Sequence, residues 1–126
     1  MNDGLERRLK IELVIRFGST ARGTAREDSD VDLGVWAEHS LSLAEQSALV
    51  AELALRFGLP EDKIDLVDLR TASPLLLHEV AEGGELLLGA PDDFTRFRVR
   101  AWKIHQDTAR LRRARERHLS DVLDVP

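Results

Sequence analysis

A chain of 126 residues has room for one ordinary hydrophobic core, and no internal linker is long enough to separate a pair of domains, so a single domain over 1–126 is expected. With 43% hydrophobic and 33% charged residues the chain is neither disordered nor a membrane span, since no apolar run nears the roughly 20 residues that cross a bilayer. Cysteine is absent, which excludes disulfides, thiolate metal sites and cysteine nucleophiles.

The opening MNDGLERRLK has no apolar stretch behind its charges, so no secretory signal is visible and a cytoplasmic setting is expected. The net charge of −5 is unevenly spread. Residues 93–126 hold nine of the 18 Lys and Arg against five acids, about +4, and leave about −9 on the rest. That balance argues against a general DNA-binding surface and gives the basic end something acidic to meet, or simply a solvated helix face.

In chain order, Leu5 to Lys10 predicts a short helix leading into a strand over Glu12 to Phe17, where β-branched and aromatic residues cluster. Gly18-Ser19 breaks that strand, Thr20 to Gly23 offers one helical turn, and Ala25 to Ser29 is turn-like. Asp30 to Trp36 alternates polar or small with apolar residues, as a strand with one buried face does. Leu43 to Phe57 turns helical, with Leu43, Ser47, Val50, Ala54 and Phe57 on one face and Leu49 and Leu53 widening its apolar stripe, and Gly58 with Pro60 stops it. A third strand is predicted over Lys63 to Leu69, a helix from Ser73-Pro74 to Val80 or Ala81, and a fourth strand over Glu85 to Leu88. A long final helix is expected from about Asp92 to Leu119, with Phe94, Phe97, Ala101, Ile104, Thr108 and Leu111 along one side. This order predicts an α/β (α+β) domain on a mixed sheet, with helices mainly on one face and a long C-terminal helix.

The chemistry is concentrated in residues 18–33, GSTARGTAREDSDVDL. Asp30 and Asp32 are two apart in a strand, so both project from one face while Val31 and Leu33 turn to the core. Two neighbouring carboxylates repel each other unless a cation lies between them, and oxygen-only ligation suits a hard ion such as magnesium. Two such ions are the usual device for in-line attack at phosphorus. Gly18-Ser19, where a strand turns toward a helical segment, presents free backbone amides to a phosphate, with Arg22 one turn further on. A third carboxylate is wanted from a neighbouring strand. Asp65 and Asp68 are the candidates, and because they point to opposite faces periodicity alone does not choose between them.

These residues resemble a known family. Gly18-Ser19, ten residues and then Asp30-x-Asp32 are similar to the GS-x10-DxD signature of the DNA polymerase β-like nucleotidyltransferase superfamily. IDLVDL and the following EVAEGGELLLG resemble its minimal nucleotidyltransferase (MNT) branch. The resemblance covers roughly Leu13 to Leu88. It implies that Gly18 and Ser19 hold the triphosphate of ATP, that Asp30 and Asp32 bridge two Mg2+ ions, and that Asp65 completes the ion that activates an acceptor hydroxyl. It also implies a partner: MNT proteins pair with HEPN-domain toxins in toxin–antitoxin systems, where the MNT member transfers AMP from ATP to a tyrosine of the toxin. This chain contains no tyrosine, so such an acceptor lies on another molecule, and the basic final helix is a candidate docking element. Two alternatives stand beside that reading. One is an antitoxin that neutralises its partner by binding alone; the other is a small-molecule nucleotidyltransferase of the aminoglycoside type, against which the short chain weighs.

The remaining conspicuous residues have plainer readings. His39, His78, His105 and His118 lack zinc-site spacing. Arg100 with His105 echoes the arginine–histidine pair of HEPN ribonucleases, but in so basic a helix that match is coincidental. Trp36 and Trp102 are expected in the core or an interface, and Asp68 at a strand end or cap.

Overall fold

A computed structural model describes residues 3–18 and 30–123. Helix α1 (Asp3–Leu9) leads into strand β1 (Ile11–Phe17), followed by β2 (Val31–Ala37), α2 (Leu43–Phe57), a single 3-10 turn (Glu61–Lys63), β3 (Ile64–Asp68), α3 (Pro74–Gly83), β4 (Glu85–Leu88) and α4 (Pro91–Leu123). The four strands form one mixed sheet in the order β3-β2-β1-β4. β1 pairs antiparallel with β2 and β4, whereas β2 and β3 are parallel because α2 carries the chain back across the sheet.

Local chemistry fixes the helix ends. Ser42 caps α2 through a capping box: its hydroxyl accepts from the Glu45 amide at 3.1 Å, and the Glu45 carboxylate accepts from the Ser42 amide at 2.8 Å. Gly58 closes the helix in the left-handed region at φ 65°, which suits a residue without Cβ. The Ser73 hydroxyl caps α3 by accepting from the Leu76 amide at 3.2 Å, with Pro74 at the first helical position.

The expectation of helices mainly on one face is corrected by the packing, which puts two on each face. α1 and α2 bury Leu5, Leu9, Leu49 and Leu53 against Val14, Val31, Leu33 and Val35. α3 and α4 bury Leu77, Val80, Ala81, Phe97 and Ala101 against Leu13, Ile15 and Phe17. The three consecutive buried residues Leu13, Val14 and Ile15 are what a strand covered on both sides requires.

Two helix faces also differ from expectation. Leu43 is 85% exposed, whereas Leu49, Leu53 and Ala54 of the expected stripe form the buried ridge of α2. On α4, Phe97 and Ala101 are buried with Phe94 and Ile104 packed beside them, but Leu111 is 70% exposed and residues 110–121 are all exposed. A helix of 33 residues is about 50 Å long. Its second half therefore lies on none of the described residues of the core. No helix among the described residues is long and apolar enough to cross a membrane.

Candidate active site

Strand register sets Asp32 of the DxD segment beside a third carboxylate, while Asp30 lies just before β2. Asp32 is the Cα partner of Asp65 in the parallel β2–β3 pair, and of Phe17, the last residue of β1, in the antiparallel pair. Strands lie about 4.8 Å apart, so the two aspartates are side by side at one end of the sheet. Both project to the α3/α4 face, because Val31, Leu33, Ile64 and Leu66 take the opposite face while Trp36 and Val67 take this one. Asp30 and Asp65 are exposed and Asp32 is half-buried.

Asp68 belongs elsewhere. It pairs with Val35, three residues further along β2 than Asp32. Its carboxylate accepts from the Leu41 amide at 3.2 Å and from the Arg70 amide at 3.0 Å, closing the turn that follows β3. Of the two acids that spacing left open, Asp65 neighbours Asp32 and Asp68 closes a turn.

Gly18 completes the group from the other side. It follows β1 at φ 77°, and a Cβ built on it would overlap a carboxylate oxygen of Asp32. Backbone and carboxylate are thus in direct contact, a closeness only glycine permits. Ser19 and Arg22, the other expected phosphate contacts, lie outside the described residues.

The electrostatics follow from the crowding. The Asp32 carboxyl is raised above its ordinary range, first by burial and then by the charges of Asp65, Asp30 and Glu79. Glu79, on the exposed side of α3, is an acid the sequence did not single out. Nothing in its spacing signals the site, and only the packing of α3 on β1 brings its charge toward Asp32. Among the described residues no three acids or imidazoles yet converge tightly enough to enclose an ion. The donor set nonetheless suits a hard cation: oxygen ligands only, with Asp32 penalised for its charge unless a positive partner arrives.

The two tryptophans and the histidines fall as follows. Trp36 packs on Phe97 with ring centroids 6.0 Å apart, whereas Trp102 is 55% exposed. Trp102 joins His78, Glu82 and Arg98 around a 300 Å³ groove between α3 and α4, whose lining includes none of the three aspartates. His78 and His105 stack at 3.7 Å across these helices, a pairing that sequence separation conceals. The Arg100 guanidinium lies over the Trp36 ring.

Comparison with known proteins agrees with this geometry. The family described as "Polymerase beta, Nucleotidyltransferase" matches residues 1–93. Protein adenylyltransferase MntA of Shewanella oneidensis is 32% identical over 114 residues, covering 90% of this chain and 78% of that protein. MntA of Aphanizomenon flos-aquae is 27% identical over 121 residues, covering 90% and 81%. Among solved structures, a chain of a toxin–antitoxin complex with AMP-PNP superposes with a TM-score of 0.70 at 32% identity, covering 95% of this chain and 94% of that one. A chain from the complex of tri-AMPylated S. oneidensis HEPN toxin with MNT antitoxin gives 0.62 at 27% identity, covering 98% and 99%. With its Gly18 turn, its paired aspartates and a match over three quarters of its length, the chain belongs to the polymerase β nucleotidyltransferase family, in the MNT branch.

Proposed function

We propose that this nucleotidyltransferase moves AMP from ATP to a hydroxyl of a HEPN-domain toxin in the cytoplasm, and so serves as its antitoxin. The observation that carries the reading is the direct pairing of Asp32 with Asp65 beside the Gly18 turn. The names of the relatives support it: both curated relatives are protein adenylyltransferases, and one related complex holds an AMPylated HEPN toxin with an MNT antitoxin. Residues 1–126 act as one catalytic domain, and the overhanging half of α4 offers the toxin a basic arm.

In this mechanism the amides at Gly18 and Ser19 hold the outer phosphates, with Arg22 as a further contact. Two magnesium ions bound by Asp30, Asp32 and Asp65 would neutralise phosphate charge and acidify the acceptor hydroxyl. Asp65 faces solvent at the start of β3, where it meets the incoming acceptor and takes the hydroxyl proton. The freed oxygen attacks the α-phosphorus in line. A new P–O bond forms as the bond to the bridging oxygen of the β-phosphate breaks, and pyrophosphate leaves with that electron pair. Because the chain has no tyrosine, a tyrosyl acceptor is supplied in trans.

The test is transfer of label from α-labelled ATP to a co-purified HEPN toxin. Labelling is expected with the native chain and lost with Asp30→Asn; labelling that survives this change refutes the mechanism. Toxin suppression that persists in an Asp30→Asn, Asp32→Asn double variant would replace catalysis by neutralisation through binding alone.

A further inference from the structure

The sheet face that carries the aspartates has a second charged end. Asp32, Gly34 and Trp36 alternate onto the same side of β2, so the Trp36 indole lies four residues, about 13 Å, from the Asp32 position. α4 spans the same interval: Phe97 touches Trp36, and His105, about 12 Å further along the helix, stacks on His78 next to Glu79.

Two guanidiniums lie over the Trp36 ring. Arg70, from the turn after β3, is 4.7 Å from its centroid, and Arg100, from α4, is 5.2 Å away. The Arg70 Nε donates to the Ala37 carbonyl, which orients its guanidinium and leaves the two terminal amino groups to other acceptors. Neither arginine joins an ion pair among the described residues, whereas the adjacent Arg96 is bound by Asp93. Beside them Trp36, Arg100, Arg96, Asp93 and Glu12 surround a cavity of 140 Å³. Two guanidiniums held on one aromatic ring, neither of them salt-bridged among the described residues although Glu12 and Asp93 line the neighbouring cavity, can receive an oxyanion.

We propose that Trp36, Arg70 and Arg100 form a docking subsite for an acidic side chain of the macromolecule whose hydroxyl is modified at Asp32 and Asp65. This rests on the adenylyltransferase reading for the acceptor being a protein. The neighbouring cavity, which Arg100 lines and Arg70 does not, is too small for a nucleotide, whose sites run to roughly 300 Å³ and more. A nucleic-acid strand fits the face poorly, because a polyanion crossing it would meet Asp30, Asp32, Asp65 and Glu79 within about 13 Å. A single carboxylate touches only the cationic end. The subsite thus sets acceptor specificity: an acidic residue about 13 Å from the target hydroxyl.

The experiment uses the complete chain with the HEPN toxin as acceptor and α-labelled ATP. Arg70→Met and Arg100→Met, combined, keep an aliphatic stem on the indole and remove both charges. The KM for the acceptor should rise about tenfold with kcat unchanged, and the difference should shrink as salt is added. Arg70→Lys with Arg100→Lys should recover part of the loss, since a point charge replaces the fork. Calorimetric affinity for ATP should equal that of the native chain, which also reports that the variant is folded. In a Trp102→Phe background, a hexaglutamate peptide should quench Trp36 fluorescence, and the double Met change should abolish the quenching. An unchanged acceptor KM, or a fall in kcat alone, overturns the proposal. So does displacement of the acceptor by a short RNA but not by hexaglutamate. The two readings fail separately: labelling that survives Asp30→Asn discards the catalytic reading, while hexaglutamate quenching judges the subsite with no reaction involved.

Discussion

Replacing Gly18 by alanine tests how tightly the turn and the aspartate are fitted together. Two effects separate here. The first is backbone strain: at φ 77° an L-residue costs about 1–2 kcal/mol relative to glycine. The second is contact, because the new methyl would occupy the volume of an Asp32 carboxylate oxygen and so displace that carboxylate from its place beside Asp65. Gly58 supplies the internal control, since its φ of 65° imposes similar strain while a Cβ there meets nothing within 4 Å. Both variants should therefore melt a few degrees lower, at roughly 4 °C per kcal/mol for a domain of this size. Only Gly18→Ala should lose catalysis. A reacting group displaced by about 1 Å costs on the order of 100-fold, so AMP transfer should fall by about that factor while Gly58→Ala retains native activity. Thermal denaturation and transfer from α-labelled ATP measure the two effects independently. If Gly18→Ala transfers AMP at the native rate, the contact between this turn and Asp32 plays no part in the reaction.

Three further outcomes follow from the same geometry. Asp65→Ala should abolish transfer with little change in melting, whereas Asp68→Ala should cost about 1–3 kcal/mol by stranding the Leu41 and Arg70 amides and should spare the chemistry; the reverse pattern would exchange their roles. Asp32→Asn should inactivate the enzyme yet raise its melting temperature at neutral pH. The folded Asp32 pKa exceeds its unfolded value, so the ionised carboxylate opposes folding; that cost is absent below about pH 4, grows as pH rises toward the folded value, and is complete above it. The gain in melting temperature should accordingly vanish in a scan below pH 4, and Mg2+ should stabilise the native chain but not the variant. Ser42→Ala should cost about 1 kcal/mol by urea denaturation. Glu45, whose pKa is lowered by its hydrogen bonds to the Ser42 backbone and side chain, contributes stability present above its unfolded pKa and lost as pH falls through the lower folded value; the Ser42→Ala deficit should shrink correspondingly in acid.

Much of the fold was legible because the signals are local. The helical spacing and the stop at Gly58 delimit α2 at Leu43–Phe57 as read, and Gly84 and Gly89 bracket β4 at Glu85–Leu88. The coverage of both sheet faces is also written in the sequence, in the unbroken apolar run Leu13-Val14-Ile15. The stripe on α4 was over-read at Leu111, since periodicity records that a residue is apolar and not whether a neighbour exists to cover it. Glu79, and the approach of Arg70 and Arg100 to Trp36, had no signal at all. They join residues from different elements, and the sequence separation carries no trace of the contact.

By itself the sequence determined the glycine that follows β1, the close spacing of Asp30 and Asp32, and the family that this pattern marks, because each depends on a few consecutive residues. Tertiary structure decided which downstream acid stands beside Asp32, since a one-residue difference in the parallel register of β2 and β3 would turn Asp65 to the opposite face. It also decided that the same face ends in paired guanidiniums on Trp36. Strand pairing and helix docking are contacts between distant segments, and their free energy is set only when the core closes.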